Sequence, residues 1–230
     1  WDCGAFQPDW LERVLKELQV IGGAQFPYFD VFNFHYYPPF RWRWEDSGPD
    51  IIGKARWLRN EELGKFGINV PIACTEVGRP TDGPPEGDAI YSEARTARYI
   101  PQVFARALAE NLQHLIWFTM VDDPGEYRKY GLLTADGTPK AAYTAYRTTV
   151  TELAGASYLG GISQNSAVEG YRFTRGGLIT WTIWRKSYPE QEMPYPSTDL
   201  NIPAPSVRVV THLGDVTYVQ DGQVGDHDGL

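Results

Sequence analysis

The stretch Ile68-Asn69-Val70-Pro71-Ile72-Ala73-Cys74-Thr75-Glu76-Val77-Gly78 decides how the chain is read. Ile68, Val70, Ile72 and Val77 are apolar and β-favouring, and Gly78-Arg79-Pro80 breaks the run, so it predicts a strand over 70–77. Nearly continuous apolar character is the mark of a strand covered on both faces, as in a parallel sheet. Glu76 is out of place in such a strand. Regular alternation puts Ile72, Cys74 and Glu76 on one face, with the carboxylate at its carboxyl end.

Two further segments have the same character. Phe29 to Tyr37 is short and aromatic and is stopped by Pro38-Pro39; Leu115 to Met120 is a third apolar run. Helical spacing separates them. Trp10, Leu11, Val14, Leu15 and Leu18 recur at helical intervals behind Asp9, with Glu12 as the capping-box partner. Residues 51–63 read as a second helix, Ser92 caps a third that runs to about Gln113 with Pro101 inside it, and a fourth extends from Pro139 to Gly155. Strands alternating with helices predict a parallel sheet with helices outside it. Such folds carry their chemistry at the carboxyl ends of the strands.

The pattern changes after Gly155. Tyr171–Phe173, Leu178–Trp184, Val207–Thr211 and Val216–Val219 predict strands without helices between them, with hairpin turns at Thr174–Gly177 and Gln220–Gly222. The expected division is residues 1–155 as an α/β unit and 156–230 as an all-β, sandwich-like accessory region. Trp181 is the residue there that an exposed sugar platform would use.

Composition narrows the function. The 230 residues carry 29 acidic and 21 basic side chains, a formal charge of -8. That balance argues against a nucleic-acid partner and against an anionic membrane surface. The 14 Tyr, 10 Phe and 8 Trp are mostly core, but such rings also stack on sugar faces. Two cysteines exclude a disulfide scaffold, and Cys74 reads as a small buried residue. His35, His114, His212 and His227 lack zinc-ligand spacing, and neither a nucleophile elbow nor a phosphate loop occurs, so no metal or cofactor is expected. The Asp221–Gly229 stretch lacks an EF-hand register and reads as a polar turn. The chain opens on Trp1-Asp2-Cys3-Gly4 without an initiator Met, which suggests a start inside a longer protein.

The three strand ends bring Glu76 near His35, Tyr36, Tyr37 and Trp117. A carboxylate there can attack an anomeric carbon or stabilise positive charge developing on a sugar ring. A tyrosine on the neighbouring strand, Tyr36 or Tyr37, can donate to it and keep it ionised. His35 suits a sugar hydroxyl or the carboxylate, and Trp117 suits an apolar floor. Against this stand ordinary readings: a loop-anchoring Glu, a satisfied core His and a packing Trp.

The stretches Phe29–Pro38, Pro71–Gly78, Leu115–Met120 and Tyr130–Tyr143 resemble strands six, seven and eight, and the exit from strand eight, of (β/α)8-barrel retaining glycoside hydrolases that use two glutamates. β-Xylosidase and iduronidase-type families, and endoglycanases with a C-terminal β domain, are the most similar. The resemblance implies a partial (β/α)8 TIM barrel comprising strands six to eight. It maps the nucleophile onto Glu76, the strand-six positions onto His35 with Tyr36 or Tyr37, and the strand-eight tryptophan onto Trp117. Arg79, Asp122 and Glu126, with Trp42, Trp44 and Tyr127, would line the substrate cleft, and the partner is an oligosaccharide or polysaccharide. The family's acid/base glutamate follows an asparagine on strand four, which nothing here matches; Asn60-Glu61 falls late in a helix and reads as surface. A whole barrel takes about 250 residues. The expectation is therefore an incomplete barrel, weakly active or inactive alone, completed by an N-terminal half or by self-association. A non-catalytic carbohydrate-binding or structural protein is the alternative.

Overall fold

The computed structural model describes residues 9–83, 91–186 and 200–220. Its first sheet is parallel, in the order β1 (Phe32–Tyr36), β2 (Ile72–Val77), β3 (Leu115–Trp117). Four α-helices accompany it: α1 (Trp10–Gly22), α2 (Asp50–Trp57), α3 (Glu93–Ala109) and α4 (Ala141–Leu153). The expected alternation of helix and strand is present, and the three strands are adjacent and parallel. Three strands do not close a barrel: among the described residues β1 and β3 each have one strand neighbour.

Each helix has a local cause. α1 buries Leu11 and Leu15 on its apolar stripe. The expected capping box is absent: Asp9 makes no side-chain cap, and Glu12 pairs instead with Lys16 at 2.6 Å and Lys65 at 3.2 Å. α2 continues through a π turn (Leu58–Leu63) and a short 3-10 turn to Gly67, whose φ of 67° suits a residue without Cβ. Ser92 caps α3 as expected, accepting from Arg95 N at 3.3 Å. Pro139 lies outside α4, two residues before Ala141, where it stands opposite Leu133 in an isolated antiparallel bridge.

The helices cover one face of the sheet. Phe34, Tyr36, Ile72, Cys74 and Val77 point into that core with Ile51, Ala55, Ile100 and Val103. The opposite face is the more open one among the described residues. Asn33 is exposed there and Ile116 keeps 52% of its surface. Parallel sheets are ordinarily covered on both faces; among the described residues helices cover this one on a single face. No helix of the described residues is long and apolar enough to cross a membrane.

Beyond α4 lies an antiparallel sheet, β4 (Ser157–Gly161), β5 (Val168–Arg175) and β6 (Leu178–Arg185), followed by a separate hairpin, β7 (Ser206–Val210) with β8 (Val216–Gln220). The turn between β5 and β6 has Gly176 and Gly177 at φ of 58° and 83°, the left-handed pair a two-residue hairpin demands. Strand β4 was not expected; its Gly160-Gly161 end reads from sequence as a breaker. Among the described residues the hairpin pairs with no strand of the three-stranded sheet. The expected Gln220–Gly222 turn, Cys3 and the Asp221–Gly229 stretch fall outside the described residues.

Helix α3 serves two cores. Its Ala97, Ile100, Val103 and Ala107 face the parallel sheet, while Ala105, Leu108 and Ala109 meet Tyr171, Phe173 and Trp184. It is thus Trp184 that turns to the helix; Trp181 pairs with Arg172 on the other face and is half-buried.

Between these cores sits a buried charge network. Arg106 Nε and Nη2 donate to the two oxygens of Glu169, each at 2.7 Å, and Nη1 donates to Asp50 Oδ2 at 2.7 Å. Tyr36 and Tyr99 donate to Asp50 at 2.7 and 3.2 Å, and Tyr171 donates to Glu169 at 2.8 Å. Two carboxylates and hydroxyl donors around one guanidinium satisfy the charges that burial strips of water.

A candidate active site at the ends of three parallel strands

The orientation of Glu76 is set by an irregularity. Phe34 pairs with Cys74, but the next residue, His35, pairs with Glu76, so Thr75 is an extra residue in β2. Regular alternation would send Glu76 into the core with Ile72 and Cys74, both fully buried. The bulge corrects that expectation: Glu76 emerges on the more open face beside His35, while Val77 returns to the core. Thr75 faces the same way and donates its hydroxyl to the Asn33 side-chain carbonyl.

Both oxygens of Glu76 are held. Tyr37 Oη donates to Oε1, and His35 Nδ1 lies 3.3 Å from Oε2. The carboxylate keeps 28% of its side-chain surface and His35 26%, so the group is reachable but not freely solvated. Tyr37 is a firm donor. Burial, then its hydrogen bond to Glu76 and that residue's charge, raise its hydroxyl far above the ordinary 10.0; Tyr130 and Glu126 add to the effect. A phenol held this way donates to Glu76 at neutral pH.

His35 is positioned through its backbone. Lys54 from α2, itself 2% exposed, donates to the His35 carbonyl at 2.8 Å and sits 4.4 Å over the Trp44 ring. Tyr37 packs edge-on against Tyr130 at 5.8 Å, and Tyr130 packs against Phe118 at 5.6 Å. Gly78 makes that packing possible: a Cβ there would lie 2.7 Å from the Phe118 carbonyl and 3.1 to 3.2 Å from the Tyr130 and Tyr37 rings. A cavity of about 230 Å³ adjoins this wall, lined by Tyr37, Pro39, Phe40, Pro80, Arg128 and Tyr130.

Four of the expected site residues do other work. Tyr36 is fully buried with its hydroxyl on Asp50, because neighbours on a strand point to opposite faces; Tyr37 is the partner of Glu76. Trp117 is 8% exposed, stacks near Tyr99 at 6.5 Å and donates to the Tyr130 carbonyl at 3.3 Å, so it is core rather than a sugar floor. Asp122 is buried, paired with Lys140 at 2.6 Å and accepting from Gly131 N at 2.8 Å; it ties the loop after β3 to the start of α4. Arg79 is buried 5.8 Å from the Tyr99 ring and lines a different cleft. Trp44 likewise is core, while Trp42 and Tyr127 are exposed. Glu126 stays on the exposed loop near Tyr37.

Sequence reasoning missed Phe118, Tyr130 and Arg128. The signal for Tyr130 was present in Tyr130-Gly131-Leu132, since a Cβ on Gly131 would lie 2.4 Å from Asp122 N and 2.5 Å from the Leu133 carbonyl. That glycine fixes the close approach that delivers Tyr130 to Tyr37. Among the described residues no group of three or more His, Cys, Asp or Glu is arranged to hold a metal.

No protein-family model matches the chain, and no curated protein matches it. Solved structures do. A family 39 glycoside hydrolase from the gut symbiont Bacteroides cellulosilyticus WH2 superposes with a TM-score of 0.55 at 15% identity, over 84% of this chain and 39% of that one. A family 17 β-1,3-glucanosyltransferase from Rhizomucor miehei gives a TM-score of 0.39 at 16% identity, over 59% and 55%. A Lactobacillus rhamnosus β-glucuronidase gives 0.36 at 22%, over 54% and 22%. The chain thus spans 39% of the length of the family 39 structure, and its mixed α/β fold is of the kind seen in glycoside hydrolases.

Proposed function

We propose that the chain is part of a glycoside hydrolase acting with retention, with Glu76 as its nucleophile. The observation that carries this is a carboxylate at the carboxyl end of a parallel strand, both oxygens engaged by Tyr37 and His35, on a face that the helices leave open. The contacts with Tyr37 and His35 fix the orientation of the Glu76 carboxylate. The carboxylate attacks the anomeric carbon, the glycosidic oxygen leaves with a proton from a second acid, and water later releases the sugar from the ester on Glu76.

A second carboxylate about 5 to 5.5 Å away is needed for that proton. In this reading the acid comes from strands that would continue the sheet beyond β1 and β3. Self-association at those edges is the other way to cover them. Residues 1–155 form the barrel part and 156–230 the accessory β part in this reading. Glu126 and the aromatic wall of Tyr37, Tyr130 and Phe118 contact an oligosaccharide or polysaccharide. The acidic balance of the chain argues against nucleic acid or a membrane as partner.

The missing acid also favours a second reading, a carbohydrate-binding or structural protein without turnover. Hydrolysis of aryl glycosides separates the two. Loss of general acid help costs about 100- to 10,000-fold, least for a leaving group that needs little protonation. Slow release of 2,4-dinitrophenol, abolished by Glu76→Gln, is expected. Saccharide binding unaccompanied by release from any aryl glycoside would favour the non-catalytic reading.

A further inference from the structure

The cavity of about 230 Å³ beside Tyr37 lies at the same end of the sheet as the candidate nucleophile. Its walls come from the segments that follow all three strands: Tyr37, Pro39 and Phe40 after β1, Pro80 after β2, and Arg128 and Tyr130 after β3. Tyr37 joins the cavity to Glu76. Its hydroxyl donates to the carboxylate while its ring forms part of the cavity wall. The two places are one tyrosine side chain apart.

The lining suits carbon better than hydroxyl. Three aromatic rings and two prolines supply apolar surface, and among the described lining residues Arg128 carries the charge. The proton of the Tyr37 hydroxyl is already given to Glu76. A pyranose carries several hydroxyls, each of which loses water on entry and needs a polar partner. An arene carries none, and it packs well against ring edges and faces. Size agrees: a dry apolar cavity of about 150 Å³ takes up benzene, so this one has room for a single substituted ring.

The walls are tied in place. Lys129, between Arg128 and Tyr130, donates through Nζ to the carbonyls of Asp123, Pro124 and Glu126 at 2.7, 3.3 and 2.6 Å, and its backbone N–H donates to Asp82 at 2.9 Å. The Thr81 N–H donates to the Lys129 carbonyl at 2.8 Å, which joins the loop after β3 to the loop after β2. Arg128 Nη1 donates to the Tyr91 hydroxyl at 3.2 Å, and its guanidinium lies 4.8 Å from the centre of the Tyr91 ring. Walls held at this many points leave little ordering for a ligand to drive.

We propose that this cavity holds an aryl group attached to the saccharide, so that the substrate is an aryl glycoside whose ring lodges beside Tyr37. The sugar half of the proposal rests on Glu76 as nucleophile. The arene half stands on the cavity alone.

Ligand-detected NMR titration of the full chain tests it, with 4-methylphenol as the arene and methyl β-D-xylopyranoside as a polar ring of similar size. 4-Methylphenol is expected to bind saturably, to the native chain and to Glu76→Gln alike, and the xyloside should not displace it. Pro39→Trp, which puts an indole at the cavity wall, should weaken binding by about tenfold or more. Phe40→Ala, which removes one ring of the wall, should weaken it too, with unfolding midpoints confirming that each variant folds. No saturable binding, displacement by the xyloside at equal concentration, or unchanged affinity in both variants would each overturn the arene site. Binding of 4-methylphenol without release of a phenol from any aryl glycoside would overturn the sugar half, and with it Glu76 as nucleophile, while the arene site stands.

Discussion

The Lys54 ammonium, carried by α2, donates to the backbone carbonyl of His35 at 2.8 Å. A buried cation thereby fixes the residue that meets one oxygen of the candidate nucleophile. The Phe34 and Trp44 rings flank it at 5.7 and 4.4 Å, replacing lost water with ring faces.

Lys54→Met keeps the length of the side chain and removes the charge and the donor. The His35 carbonyl loses a partner in a buried setting, which costs about 1–3 kcal/mol. Urea unfolding should show that loss, and any turnover at Glu76 should fall with it. An unchanged midpoint would mean that the ammonium does not hold His35.

Tyr37→Phe removes the donor to Glu76 Oε1 while keeping the ring against Tyr130. Reaction of Glu76 with an activated glycoside should fall by about 10- to 100-fold, in line with a lost charge-assisted bond of about 1.5–3 kcal/mol. Tyr36→Phe, whose hydroxyl serves Asp50, should leave the rate within a few-fold while lowering stability.

Arg106→Ala strands Asp50 and Glu169 in a buried setting, and removing one member of such a pair costs about 3–5 kcal/mol. Denaturant unfolding should show it. The variant should also unfold in two steps, because Arg106 joins α3 to the β5 strand carrying Glu169. A loss below 1 kcal/mol would show that water reaches the network.

Stability should fall at both ends of the pH scale. Burial, then the nearby Asp50 charge, raises Tyr36 and Tyr99 well above 10.0. Once the unfolded chain ionises its tyrosines and the native one does not, the unfolded state binds fewer protons, and stability drops as pH rises past 10.0. For Glu169, burial pushes the carboxyl up, but the hydrogen bonds and charge of Arg106 outweigh it and hold the group below 4.5. Its contribution is present above that value and disappears as pH falls toward the folded value. Tyr36→Phe should flatten the alkaline limb, and Glu169→Gln the acid one, in unfolding midpoints measured across pH.

Much of this arrangement is legible in the residues. The helix and strand periods, the Ser92 cap and the Gly176-Gly177 hairpin depend on neighbours a few positions away, and the sequence carries them directly. Three converging strand ends put His35 and one of Tyr36 and Tyr37 beside Glu76, without deciding which tyrosine. The roles of Tyr36, Trp117, Arg79 and Asp122 are not legible, because they depend on which face a residue takes and on partners well beyond the next turn of chain, such as Asp50 for Tyr36, 14 positions away, and Tyr130 for Trp117, 13 positions away. Alternation also misplaced Glu76 itself, since Thr75 carries no mark of the extra residue it contributes.

That extra residue changes where the information for the site resides. The facing of Glu76 is not written in β2; it arises from a mismatch in length between β2 and its neighbour β1. Transplanting the Cys74–Val77 segment into another sheet would carry the glutamate and lose its aim, and a sequence profile built one strand at a time would judge the two hosts equivalent. A faithful graft therefore takes both strands together, with the helix that supplies Lys54, as its smallest unit.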